Sequence, residues 1–360
     1  MSHHLVDFKE LLFAQASSYL MENAPELDRS DIRSIWTEMI QRMGTHDINR
    51  FMRHMWVSKY GDLKSQDLYT ALKQQIEDEN LKSVDFARLC GDECEDYVQL
   101  VTVSEAELGE ATPFVRALVQ ELNFQPALPL LLSCHALLQR PDFADVARWL
   151  LVFVTRYSII ANQDSAGMED LLFKLARNVR NTVRDPYTEP QQPARKAESR
   201  RAAIYIKGQL VTNAPDNDAV KKAVEGLIMD SAAAKYVLSR LARYMQDSTR
   251  ATTLGETNLE HIYPQNPSPD IYGREAGQEI MEPLTWHLGN LTIFGTRANR
   301  KAGNKDFPTK RPRYAASTIK MTKELAAKYD HWDAETIKER AKSFAGLVVE
   351  VWNFDNPSRV

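Results

Sequence analysis

Apolar residues recur at helical spacing through the first half of the chain. Residues 6–21, 32–43 and 48–57 each place them three or four positions apart, the period that gives a helix one apolar face. Residues 126–139 and 143–160, separated at Pro141, are apolar on most sides and belong at the centre of a helical domain. Residues 170–179 and 232–245 predict two more amphipathic helices, the second with Ser231 as its N-cap. Between them, 184–199 (RDPYTEPQQPARKAES) is rich in Pro and polar residues and predicts a linker or surface loop. The pattern changes after about Thr252. Residues 257–263 and 288–294 carry β-branched and aromatic residues bounded by Gly, Pro and Asn, and predict two strands joined by a long polar loop. From Arg297 the chain turns helical again, with closing helices over 320–328 and 334–344. The expected fold is therefore mainly α: a helical domain over residues 1–250, then a small α+β domain over residues 251–360.

Bulk composition narrows the class. With 43% hydrophobic and 26% charged residues the chain can fill a globular core, and 360 residues suit two or three domains. No run approaches the ~18 apolar residues of a membrane span, and the first ten residues lack the apolar stretch of a secretion signal. Three cysteines make no disulfide scaffold, so a reducing cytoplasm is the expected compartment.

The formal net charge of −4 conceals an uneven distribution. Residues 61–110 hold 13 acidic and 4 basic side chains, whereas residues 297–328 hold 10 basic and 2 acidic. A concentrated basic segment on a mildly acidic chain suits a local polyanion-binding surface. Arg297, Arg300, Lys301, Lys305, Lys310 and Arg313 are its candidate phosphate contacts, though each alone is equally at home as solvated surface.

That basic run begins beside a constellation suited to phosphodiester hydrolysis. Its parts are Glu260-His261-Ile262-Tyr263-Pro264, Gly289-Asn290-Leu291-Thr292-Ile293 and Asn299-Arg300-Lys301. A neutral imidazole is poised near neutral pH to take a proton from water, which makes His261 the candidate general base. Glu260 and Asn299 offer hard oxygen donors suited to Mg²⁺ or Mn²⁺. Strand neighbours point to opposite sides, so Glu260 and His261 share a cleft only if the strand end bends or the carboxylate turns. Asn290 can hydrogen-bond backbone across the long loop and hold His261 in orientation.

In this order the motifs resemble the HNH nucleases, a class with a ββα-metal fold. A fuller set resembles the C-terminal nuclease domain of GmrSD-type restriction proteins: LEHIYPQ, HLGNLTIF, then Asn299, Asn304, Phe307, Lys310, Tyr314 and Ser317, and finally Trp332, Ile337 and Arg340. These are type IV, modification-dependent systems of bacterial phage defence. The helical half resembles theirs at INRFMRHMWVSKYG and over residues 128–157. The resemblance implies a metal-dependent DNA endonuclease acting on phage or modified DNA. Family members often carry an N-terminal sensor and nucleotide-hydrolysing domain marked by Asp-Gly-Gln-Gln-Arg. Neither that motif nor a Gly-rich phosphate loop occurs here, so the sensor is expected on a longer protein or a separate subunit.

Two other function classes stay open on the residues alone. One is a catalytically quiet DNA- or partner-binding module on the same scaffold; the other is a nuclease acting on RNA or single strands. Cys90-Gly-Asp-Glu-Cys94 has metal-like spacing without a second pair, and His46 and His54 read as surface or packing residues. Ser-His-Asp chemistry lacks a local signature.

Overall fold

A computed structural model gives the arrangement of these elements. The structure describes residues 8–64, 67–78, 82–183, 192–246, 256–267 and 278–355. The main elements run α1 (Phe8–Glu22), α2 (Glu26–Met43), α3 (Ile48–Tyr60), α4 (Leu68–Asp78), α5 (Ser83–Thr102), α6 (Leu128–Leu137), α7 (Arg140–Val154), α8 (Ser165–Thr182), α9 (Gln192–Asn213), α10 (Asn217–Glu225) and α11 (Ser231–Met245). There follow β1 (Thr257–His261), β2 (Leu291–Gly295), α12 (Thr296–Ala302), α13 (Phe307–Ala315), α14 (Lys320–Lys328) and α15 (Ala334–Val351). The protein is mainly helical with a small two-stranded sheet. No described helix is long and apolar enough to cross a membrane.

The chain divides into two compact units, Met1–Ala147 with Ser165–Gln209, and Arg148–Asp164 with Leu210–Val360. The unit that holds the strands thus begins well before residue 251, because residues 148–164 and the helices α10 and α11 pack with it.

In the first unit α2 lies along α5, and α8 lies against α3 and α6. Ile32, Trp36, Met39 and Met43 form the buried stripe of α2 at the expected spacing. The acidic segment is largely helical, and one of its charges is internal. Glu93 is 5% exposed and accepts two bonds from Arg180, at 2.5 and 2.7 Å, with Lys59 at 2.9 Å. The two cations hold this carboxyl below its ordinary range against the opposing effect of burial. Cys90, Cys94 and Cys134 are buried free thiols, all raised by desolvation, Cys94 to about 11. They stay protonated and unreactive.

Two local expectations need correction here. Residues 184–191 lie outside the described residues, but 192–199 open the long helix α9. Ser199 is buried there and donates to Asp142. The N-cap of α11 is Asp230, which accepts from Ala233 N at 2.9 Å, and Ser231 is the first helical residue. A carboxylate one position earlier reaches the same free amide.

In the second unit β1 and β2 pair antiparallel, with Glu260 opposite Thr292 and His261 opposite Leu291. Residues 288–290, expected as strand, form a tight turn that leads into β2. α12 begins directly after β2 and packs on both strands, while α11 also packs against the sheet. α15 runs along α10 and the 288–290 turn. Arg156, itself buried, donates to the carbonyls of Pro215 and Trp352 and to Asn217, tying residues 148–164 into this unit.

Candidate active site

The last residues of β1 and the turn beyond them, residues 259–263, are where the predicted site residues meet. Asn290 is fully buried and uses its whole amide. Its Oδ1 accepts from Tyr263 N at 2.8 Å and Trp332 Nε1 at 2.9 Å; its Nδ2 donates to Tyr263 O at 2.9 Å and Thr285 O at 3.0 Å. Ile262 N donates to the Asn290 carbonyl at 2.9 Å. An asparagine with donors and acceptors all used fixes the backbone leaving β1 like two rungs of sheet. Asn299 approaches from α12, its Nδ2 donating to Leu259 O at 2.9 Å.

Strand alternation sends Glu260 and His261 to different surroundings. Glu260 is 4% exposed and turns toward α13. Its Oε1 accepts from the Tyr314 hydroxyl at 2.7 Å and lies 2.9 Å from Lys310 Nζ. Lys310 is 1% exposed, and its ammonium also donates to the carbonyls of His261, at 2.6 Å, and Ile262, at 3.3 Å. Burial raises the Glu260 carboxyl and lowers the Lys310 ammonium, and each is pulled back toward its charged form by the other. Three acceptors for three N–H groups favour the charged lysine. Removing one partner of such a buried pair typically costs about 3–5 kcal/mol.

His261 packs edge-on against Trp286, ring centroids 4.6 Å apart and 89° between planes. Its Nε2 is buried and has no hydrogen-bond partner among the described residues. Burial, then the charge of Lys310, lowers its pKa to about 4, so the ring is neutral at neutral pH. An unpartnered buried nitrogen costs about 1–3 kcal/mol, a burden that native folds concentrate at functional places.

Several supporting residues carried no assigned role in the sequence reading. Tyr314 holds Glu260; Lys310 and Tyr314 stand four apart, the helical spacing that sets both on one side of α13. Trp332 closes the Asn290 amide and stacks on Phe307 with centroids 5.2 Å apart. Arg340 is buried and donates to the carbonyls of Gly289 and Leu291, each at 2.7 Å, on either side of Asn290. His287 accepts from Gly289 N at Nδ1 (3.2 Å), which leaves its Nε2 to donate to Glu225 O at 3.0 Å. The motif HLGN is thus a packed turn, with a histidine in a structural task.

The basic run divides in two. Arg297, Arg300, Lys301, Lys305 and Arg313 are exposed. Lys310 is not a surface phosphate contact, because its ammonium is buried on Glu260 and two carbonyls. Arg311 is matched by Asp330 and Lys328 by Glu339, which thins the local excess of charge.

Donor chemistry allows one hard cation beside this strand. With its nitrogen on Leu259 O, the Asn299 amide has its oxygen left over, and among the described residues no hydrogen bond reaches Glu260 Oε2. Amide and carboxylate oxygens are the donor type taken by a hard cation that keeps several waters. No cluster of three or more His, Cys, Asp or Glu side chains suited to a metal occurs among the described residues, so water and substrate would supply the remaining ligands.

Comparison of the chain with curated proteins gives no match. Residues 215–347 match the family model described as GmrSD restriction endonucleases, C-terminal domain, just over a third of the chain. The matched span contains β1, the Asn290 clamp, the Glu260–Lys310–Tyr314 group, α12 and Arg340, and it lies wholly in the second compact unit. Over residues 215–347, therefore, this chain matches the C-terminal domain of the GmrSD restriction endonucleases, which supports a GmrSD-type C-terminal region there.

Proposed function

We propose that the second unit is a metal-dependent endonuclease of the HNH, ββα-metal class that hydrolyses phosphodiester bonds in DNA. It would serve as the cutting part of a modification-dependent restriction system, with sensing supplied by another domain or subunit. The observation that carries this reading is His261. It is a neutral imidazole with an unpartnered Nε2, on a strand end held by Asn290, inside a span matching a restriction-endonuclease domain.

In this reading His261 takes a proton from the attacking water at Nε2. Asn290 keeps β1 and its exit turn in one geometry, so that the imidazole does not have to be ordered during the reaction. Glu260 and Asn299 would hold Mg²⁺ or Mn²⁺, which would stabilise charge on the scissile phosphate and the leaving 3′-oxygen. Arg297, Arg300, Lys301, Lys305 and Arg313 would grip the backbone on either side without reading its sequence.

Supercoiled plasmid with Mg²⁺ or Mn²⁺, with and without EDTA, tests the reading. Cleavage is expected with metal alone, and His261→Ala should lower its rate about 10²–10⁴-fold while the circular dichroism spectrum is unchanged. Wild-type turnover in that variant would remove His261 as the base. The neutralisation of Glu260 by Lys310 favours, as the second reading, a quiet DNA-binding module. Tight plasmid binding with no cleavage under any divalent metal would establish that one, and cleavage restricted to RNA or single strands would move the substrate.

A further inference from the structure

Lys310 occupies an unusual position for a residue in a basic run. It is buried in the second unit, and each of its ammonium protons has an acceptor: Glu260 Oε1, His261 O and Ile262 O. Two of those acceptors belong to the residues proposed to hold the metal and to take the proton, and the third to the residue that follows them. A full positive charge 2.9 Å from a carboxylate oxygen is what a bound cation would otherwise supply. Tyr314 completes the arrangement by donating to the same oxygen, so the carboxylate is neutralised and oriented by the chain's own side chains.

We infer that Lys310 is a built-in counter-cation of Glu260, and that divalent metal binds there only as the Lys310 ammonium withdraws. This rests on the metal-dependent reading proposed above. Two cations on one carboxylate in a poorly hydrated site repel each other by an energy that is large compared with thermal energy, so the ammonium and a divalent ion compete for Glu260. Withdrawal frees Oε1 for the metal and at the same time releases the carbonyls of His261 and Ile262. Lys310 is thus a positioning residue whose state reports whether the site is loaded.

Binding of Mn²⁺ alone, by calorimetry on the full chain without DNA, tests the inference apart from activity. Lys310→Met should bind Mn²⁺ more tightly than the unmodified protein, on the order of tenfold or more. Equal or weaker affinity in a folded variant overturns it. If neither protein binds Mn²⁺, the metal-dependent reading fails and takes this inference with it; if both bind equally, only the inference fails. A second measurement needs no variant. Lys310 should resist acetic anhydride in EDTA and become acetylated when Mn²⁺ is saturating, read by mass spectrometry of the peptide that contains it. Protection that is unchanged by Mn²⁺ also overturns the inference.

Discussion

His54 is 5% exposed, with Nδ1 3.1 Å from the Tyr97 hydroxyl. Burial, reinforced by Arg53 and Arg50, lowers its pKa to about 3. The unfolded chain takes up a proton there near pH 6.5, while the folded one refuses it until about pH 3. Protonation therefore favours unfolding: this contribution to stability is complete above about pH 6.5 and is lost as the pH falls toward 3. Urea unfolding should show a loss of about 2 kcal/mol between pH 6.5 and pH 5 that is absent in His54→Phe. An equal loss in both proteins would assign the acid sensitivity to other groups. The sequence leaves His54 as a surface or packing residue, and its burial narrows that to packing. Lys310 was misread for a related reason. A charge count along the chain cannot tell which side of a helix a lysine occupies, and here the i, i+4 pairing with Tyr314 set Lys310 inward against Glu260. The Asn290 contacts were more legible. An asparagine in a Gly-Asn step before an apolar strand is suited to hydrogen-bonding loop backbone, and Asn290 binds the backbone of Tyr263 and Thr285, with Trp332 Nε1 as one side-chain partner that the step alone did not show.

Gly289 marks where two elements approach most closely. A Cβ added there would lie 1.9 Å from the carbonyl oxygen of Ile337 on α15, and that atom is backbone that cannot swing away. Gly289→Ala should therefore destabilise the second unit by about 3 kcal/mol or more, seen as a lower urea midpoint with unchanged slope. A midpoint matching the unmodified protein would mean that α15 can shift freely off the turn. Helices with one apolar stripe, such as α2, α3 and α14, were readable because their period survives in a short window. β1 was readable for the same reason, with its C-terminal limit drawn two residues late. α9 was not, since Pro193 and a polar stretch look like a loop until Ser199 is seen bonded to Asp142. Pro near a helix start is compatible with helix, because its missing N–H is one that the first turn leaves unbonded anyway. The 288–290 turn was read as strand, because the carbonyl contacts of Arg340 that shape it come from 49 and 51 positions away.

At the scale of the molecule, charge and packing make separable predictions. Arg300, Lys301 and Arg313 are exposed, so changing all three to Gln should flatten the dependence of log K on log salt by up to about 3 for duplex DNA. Lys310→Gln, at a buried position, should leave that slope unchanged. Fluorescence anisotropy from low to high salt reads both; an unaltered slope in the triple variant would place the DNA elsewhere. Packing bears on the boundary expected at residue 251. A fragment of residues 251–360 lacks α10, α11 and Arg156, and leaves Val348, Val351 and Trp352 of the C-terminal helix region without cover. It should show no cooperative thermal transition; a sharp melt would prove it self-sufficient. The bond from Arg156 to the Trp352 carbonyl has a further consequence, because it joins positions 196 residues apart. A ribosome adding roughly 5–20 residues per second takes on the order of ten to forty seconds to travel that distance. All residues of the first unit have been made once position 209 is added, whereas the second unit must wait for the far end of α15. During synthesis the helical unit can thus be finished while residues 148–164 stand without their partners, a natural place for a chaperone to bind. The strand end with His261 would be among the last parts to set, so a growing chain passes most of its time on the ribosome without an assembled second unit.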